Sequence, residues 1–365
     1  MAWRERIEGL YRRAAENPGT IALGGGFPAP HLFPSDALAN SSQRVLHALG
    51  DQVLQYDWPE GREDLRAWIA TRLTQRGLAV APEELLVTSG AQQALSIAAE
   101  VLLAPGQRID VDAATYPGAL EIFESRGAKP LAYSRPGARA LYRMPGLANP
   151  TGAVLSADGR KALLAQELPL IEDEAYAELQ FAGPPGPPLA AEARDRVWLI
   201  GSFSKTLSPG LRVGWLVPPP AAFAQALELK KLQDIQSNGV TQALLMDFLA
   251  RDDFEARLAH ARRYYRAQAE RLVEAVRREL PEWTFEVPQG GFSLWLTAPE
   301  GGDGVDLLET ALAHGVTFDP GRLFQPSGRS RRLALRLCFS GVPAEALGEG
   351  ARRLAIAWRS YRGRS

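Results

Sequence analysis

The chain has 365 residues, 41 lysines and arginines against 42 aspartates and glutamates, and 46% hydrophobic residues. That length allows a large core in roughly two or three domain-sized units, and the net charge of −1 excludes a general attraction to nucleic acid or anionic membrane. The lone cysteine, Cys338, excludes an internal disulfide, and it forms no metal-ligand spacing with the four histidines.

The start, Met1 to Arg6, leads into a charged helical pattern without an apolar run of signal length, and no segment is long enough to span a bilayer. A cytoplasmic protein with no membrane partner is expected. Gly24 to Pro30 is dense in backbone breakers and predicts a turn-rich loop able to approach a ligand closely. From Leu65 onward, helical patterns (65–75, 94–103) alternate with short apolar strands at 85–88, 108–111, 169–172 and 197–200. This alternation predicts an α/β domain with a mainly parallel sheet and ligands at the carboxyl ends of its strands. Gly183 to Pro188 reads as a surface loop. The stretch 221–280 is strongly helical, with Leu244, Leu245, Phe248 and Leu249 at helical spacing. Strand patterns return at 292–296 and 333–337, with helices at 305–314 and 344–360, and predict a smaller α+β domain. Arg329, Arg331 and Arg332 read as a solvated loop. Too little sequence precedes the α/β pattern to hold an added DNA-binding domain, so no nucleic-acid partner is expected.

Lys205 stands out because the chain has only five lysines, at 129, 161, 205, 230 and 231. It follows the apolar segment 197–200 and sits among small hydroxyl residues, which predicts a turn leaving a buried strand, where burial would help free its amine. The run Thr88-Ser89-Gly90-Ala91-Gln92-Gln93 joins a strand to a helix, and free amides at that helix start could bind an anion. Taken alone, Ser89 and Gly90 would serve equally well as an N-cap and a tight turn. Ser202, Ser204 and Arg212 form a second phosphate-type grouping beside Lys205, which strengthens the anion reading.

Glu172, Asp173 and Glu174 fall where an apolar strand emerges at the ligand edge. Asp173 is the candidate to face a pyridine nitrogen, while Glu172 and Glu174 read as a solvated acidic turn. Tyr176 reads equally well as plain packing, and Asn149-Pro150-Thr151-Gly152 as a β-turn. Arg336 alternates with Leu333, Leu335, Leu337 and Phe339 and shares its face with Ala334 and Cys338. Two readings of it stay open: a fork for a carboxylate in a cleft, or a structural salt bridge.

Together these segments resemble the class I aminotransferases of pyridoxal phosphate (PLP) fold type I, most closely the branch of 2-aminoadipate and kynurenine aminotransferases and the aminotransferase-like domain of MocR regulators. The resemblance covers nearly the whole chain. It rests on Gly25-Gly26-Phe27-Pro28, Leu54-Gln55-Tyr56 with Gly61, Ser89 to Gln93, Thr115-Tyr116-Pro117, Asn149 to Gly152, Asp173 to Tyr176, Ser202 to Lys205 and Leu211-Arg212, in the family's order. It implies a large domain with a mainly parallel seven-stranded sheet between helices, plus a smaller α+β domain. The expected division is 1–40 for an N-terminal arm and part of the small domain, 41–255 for the large PLP-binding domain, and 256–365 for the C-terminal small domain.

The resemblance implies an enzyme that moves an amino group from an L-amino acid to a 2-oxo acid, with 2-oxoglutarate as expected acceptor, by a ping-pong route. Lys205 would carry PLP covalently and then shuttle a proton between substrate Cα and the cofactor. Asp173 would pair with the ring nitrogen, Asn149 and Tyr176 would contact the ring hydroxyl, and Tyr116 would stack on the ring. Ser89, Gly90, Ala91, Gln92, Ser202, Ser204 and Arg212 would form the phosphate site. Tyr56 would reach the cofactor of the other subunit of a homodimer. Arg336, Asn149 and the backbone near Gly26 would hold the substrate α-carboxylate. Two features depart from the family. Ala91 stands where relatives often carry serine, implying weaker cofactor retention, and the stretch from Asn149 to Asp173 is short, implying a trimmed outer helix. A PLP lyase of the same fold and a non-catalytic PLP-binding regulator are the alternatives, and the preferred donor side chain is left open, depending on loops around Phe27, His31 and Phe292.

Overall fold

The computed structural model describes residues 2–132, 137–326 and 332–363. Of the arginines read as a solvated loop, Arg329 and Arg331 lie outside the described residues, and Arg332 is exposed. In chain order the strands are β1 (Ile21–Leu23), β2 (Leu86–Thr88), β3 (Arg108–Val111), β4 (Lys129–Ala132), β5 (Ala138–Arg143), β6 (Leu170–Asp173), β7 (Val197–Ser202), β8 (Gly214–Val217), β9 (Thr284–Phe285), β10 (Ser293–Thr297), β11 (Val316–Pro320) and β12 (Ala334–Cys338).

A seven-stranded sheet runs in the order β2-β8-β7-β6-β5-β3-β4. Its pairings are parallel except those of β8, which is antiparallel to both β2 and β7. The central strands β6 and β7 are buried along their whole length, so they read as continuous apolar runs and not as alternating ones. Because β2, β3, β5, β6 and β7 share one direction, the residues after Thr88, Arg143, Asp173 and Ser202 meet at one edge of the sheet.

A second sheet of five strands, β1-β11-β12-β10-β9, draws β1 from the start of the chain and the other strands from its last third. Helices Gly304–Ala313 and Ala344–Arg362 pack with it. The helix Phe254–Glu279 connects the two halves, burying Leu258, Tyr265, Ala269, Leu272 and Val276 at helical spacing. The Asp253 carboxylate caps its start by accepting from the Ala256 amide at 2.9 Å.

Several boundaries differ from those expected. The helix expected over 94–103 is Ala91–Leu102, so its first turn includes Ala91 and Gln92. The helical stretch 221–280 is three helices, Phe223–Asp234, Gly239–Leu249 and Phe254–Glu279. It breaks first at Ile235, whose φ of 60° is incompatible with a continuing helix. Strands β1, β4, β5, β8, β9 and β11 are not among the expected ones; β4 contains Pro130, tolerated because β4 is an edge strand. The loop 183–188 lies outside helix and strand, as expected.

Candidate active site

The anion-binding end of the site is made by β2 and the helix after it. Gly90 takes the N-cap position with φ +82°, and no side chain caps the helix Ala91–Leu102. Ser89 therefore does not act as the N-cap: its amide donates to Gln93 Oε1 at 2.7 Å and its hydroxyl to Asp234 Oδ2 at 3.3 Å. Amides of the first helical turn are left for a ligand. Arg212, in the left-handed region with φ 52°, donates from Nη2 to the Ser89 carbonyl at 3.1 Å. A Cβ on Gly90 would stand 2.6 Å from that nitrogen, so glycine is what lets the guanidinium lie against the turn. Ser202 Oγ lies 3.0 Å from Ser204 Oγ and accepts from the Ser204 amide at 3.1 Å.

Behind this end lies a cavity of about 280 Å³, lined by Ala91, Gln92, Tyr116, Asp173, Tyr176, Ser202, Ser204, Lys205 and Arg212, with Met144 among its apolar residues. Lys205 reaches it from the turn after β7, its Nζ 5.3 Å from the centre of the Tyr176 ring. Burial, aided by the nearby Arg336 cation, pushes the Lys205 amine down to about 8. Asp173, at the end of β6, accepts from Tyr142 Oη at 2.8 Å and from the Ala175 amide at 2.9 Å. Its carboxyl is pushed up by burial, although those two donors and Lys205 oppose the shift. Tyr116 donates to Gln92 Oε1 at 3.3 Å across the mouth. Burial raises the Tyr116 phenol to about 12.

Arg336 is 8% exposed. Its Nε and Nη2 donate to Asp319 Oδ2 at 2.9 and 2.7 Å, and its Nη1 donates to Asn149 Oδ1 at 2.9 Å. The two readings of this arginine are therefore not exclusive, since it makes a salt bridge along one edge and reaches Asn149 with the other. Its guanidinium stacks 4.7 Å over Phe324. Gly26, with φ +65°, lies so near that a Cβ there would be 3.1 Å from Nη2. Tyr142 and Asp319 were missed at the sequence level. Tyr142 reads only as one member of a strand not anticipated, and Asp319 is brought to Arg336 by strand register alone.

Tyr56 is apart from this cavity and 75% exposed, beside the exposed Leu54 and Trp58. Phe292 is buried against Tyr176 and Tyr265 and is no part of an open loop. His31 stands edge-on to Tyr264 at 4.7 Å. Glu172 and Glu174 do not form a solvated turn. Glu172 is buried, accepting from the Leu189 and Ala190 amides at 2.7 and 2.9 Å, and its carboxyl is pushed up by burial. Glu174 makes a two-pronged pair with Arg76 at 2.7 and 2.8 Å. Alternate strand residues face opposite sides of the sheet, so the carboxylate beside Asp173 is turned into the core on the far side.

These residues fit a phosphorylated pyridine aldehyde. The uncapped helix start beside Arg212 suits a dianion, the buried Asp173 carboxylate lacks a full cationic partner that a protonated ring nitrogen would supply, and a weakly basic amine lines the same cavity.

The chain matches the model of the family Aminotransferase class I and II over residues 21–141 and 143–354 and belongs to that family. It is similar to the 2-aminoadipate transaminase of Thermus thermophilus, 35% identical over 94% of this chain and 91% of the relative. The solved structure of LysN, alpha-aminoadipate aminotransferase, also from Thermus thermophilus and complexed with N-(5'-phosphopyridoxyl)-L-leucine, superposes with a TM-score of 0.89 at 33% identity, covering 100% of this chain and 98% of that one. The HTH-type transcriptional regulator TauR of Rhodobacter capsulatus is 34% identical over 90% of this chain but only 72% of its own length. The protein is thus a PLP-dependent aminotransferase of fold type I, with amino and oxo acids as its substrates. Among the described residues no helix is long and apolar enough to cross a membrane.

Proposed function

We propose that the protein transfers an amino group from an L-amino acid to a 2-oxo acid, with 2-oxoglutarate as acceptor, in a ping-pong cycle of two half-reactions. The observation that carries this reading is the Lys205 amine, pushed down to about 8, in a cavity with an anion-binding helix start and the buried Asp173. The first-turn amides after Gly90, with Gln92, Ser202, Ser204 and Arg212, would hold the phosphate. Asp173, fixed by Tyr142 and Ala175, would keep the ring nitrogen protonated, and Tyr116 would lie against the ring. Bound PLP supplies an electron sink for negative charge developing at substrate Cα. Lys205 would anchor the cofactor and, as a free amine, would take the Cα proton and return it on the way to the amino product. Arg336, Asn149 and the backbone at Gly26 orient the substrate through its α-carboxylate.

A homodimer in which the exposed Tyr56 reaches the neighbouring cofactor is part of the proposal, as are a cytoplasmic setting, no nucleic-acid partner and a domain division at 40 and 255. The membership of β1 in the small sheet supports the first boundary, and the helix beginning at Phe254 supports the second. The relatives' names point to a 2-aminoadipate-like donor as the first to try.

Borohydride reduction followed by peptide mapping should leave the cofactor on Lys205. Lys205→Ala should abolish steady-state transfer; substantial activity in that variant would falsify the assignment. Single-turnover conversion of PLP to pyridoxamine phosphate without ammonia or side-chain loss distinguishes transfer from the lyase alternative. Gel-shift binding to DNA with no half-reaction would favour a regulator instead.

A further inference from the structure

Asp319 is the most heavily bound carboxylate near the site, and the chemistry above gives it no task. It lies at the end of β11, opposite Arg336 in the antiparallel register with β12, and is 3% exposed. Its neighbours are donors. Arg336 donates from Nε and Nη2 to Oδ2, Tyr11 Oη donates to Oδ1 at 2.7 Å, and the Gly25 amide lies 3.1 and 3.0 Å from its two oxygens. Tyr11 belongs to the N-terminal helix Ala2–Ala15. That helix is tied to both halves of the protein, through Arg4 to Glu121 and Glu124 and through Arg6 to Asp306 and Glu309.

A guanidinium has five N–H groups. Two of those on Arg336 go to Asp319 and one to Asn149. Glycine at 26 leaves room against the guanidinium, where a Cβ would stand 3.1, 3.2 and 3.3 Å from Nη2, Nη1 and Cζ, and the remainder is one N–H on each Nη. That is the fork a carboxylate takes.

We propose that Asp319 and Tyr11 are positioning residues for the substrate α-carboxylate, holding Arg336 by its side edge so that its end-on fork is preset, which makes the N-terminal helix part of the carboxylate clamp. This rests on the reading of Arg336 as the clamp. Asp319 offsets the charge of Arg336, so selectivity for a carboxylate comes from the fixed geometry of the fork and not from net charge. A side chain left to choose among rotamers would have to be ordered on binding, at a cost in affinity.

The test is calorimetric binding of hexanoate, a non-reactive monocarboxylate, and of its neutral counterpart hexanamide to the PLP-loaded protein. Asp319→Asn keeps the size but turns an NH2 toward a donor, and should weaken hexanoate about tenfold while leaving hexanamide unchanged. Tyr11→Phe removes one donor and should shift hexanoate the same way by about threefold. Tighter or unchanged hexanoate binding in Asp319→Asn would mean that its charge merely competes with the ligand, and equal weakening of acid and amide would mean a purely structural role; either overturns the inference. Should Asp319→Asn fail to fold, Tyr11→Phe decides by the same criteria. Wild-type protein that prefers hexanoate but shows no half-reaction with amino acids overturns the transferase reading and leaves this one standing. Wild-type protein without that preference overturns the clamp, whatever its transfer activity.

Discussion

Arg336 on β12 donates to Asn149 in the turn after β5 at 2.9 Å, and this bond joins the small sheet to the ligand edge of the large one. The two side chains are 187 positions apart, so the site is complete only when both sheets are in place.

Asn149→Ala should leave an Arg336 N–H without its buried partner. The expected loss is about tenfold or more in kcat/KM for amino donors, of the size of one charged hydrogen bond. Half-reaction kinetics check it, and unchanged cofactor retention on dialysis should accompany the loss because the anion-binding end is untouched.

Cofactor capture by the PLP-free protein should depend on pH through Lys205. Its amine is pushed down to about 8, so the reactive unprotonated fraction rises as pH rises through that value and levels off above it. Arg336 contributes to the depression, so Arg336→Leu should move the inflection upward. Capture rates measured by absorbance between pH 6 and 10 give the profile, and an inflection above about 10, as for an ordinary lysine, would remove the argument.

Gly90→Ala combines a positive φ with a Cβ placed against Arg212. A stability loss of about 1–2 kcal/mol is expected, with PLP lost faster on dialysis. Thermal unfolding and retained absorbance measure the two effects. Ala91→Ser, in the first turn of the same helix, should act the other way on retention, slowing cofactor loss by a few-fold through one added hydroxyl donor.

Tyr142→Phe removes the 2.8 Å donor to Asp173 and leaves the Ala175 amide. With one donor fewer, the buried carboxyl should move further up and protonate the ring nitrogen less effectively. Turnover should fall several-fold with the fold intact, whereas Asp173→Ala should impair turnover far more than folding. Equal turnover in Asp173→Ala and wild type would end the ring-nitrogen role.

Much of the site was legible because its residues sit at strand ends and turns, where short local patterns carry meaning. Lys205 after an apolar run, Asp173 at the end of another and Gly90 before a helix are of this kind. The strands β1, β4, β5, β8, β9 and β11 carry no clear local signal because a few half-apolar residues pair only when the neighbouring strands exist. Glu172 and Glu174 were misplaced for a related reason, since charge alone suggests solvent while the partners that make burial tolerable, the Leu189 and Ala190 amides and Arg76, are far along the chain.

The sequence by itself determined the fold class, the aminotransferase family and the identity of Lys205, Asp173 and Arg336 as the residues to watch, because local pattern and motif order are written along the chain. Only the tertiary structure decided how Arg336 is held, that Tyr142 backs Asp173, and that the N-terminal helix reaches the site through Tyr11 and Asp319. Those contacts depend on strand register and on which distant segments meet, and neither quantity has a local signature.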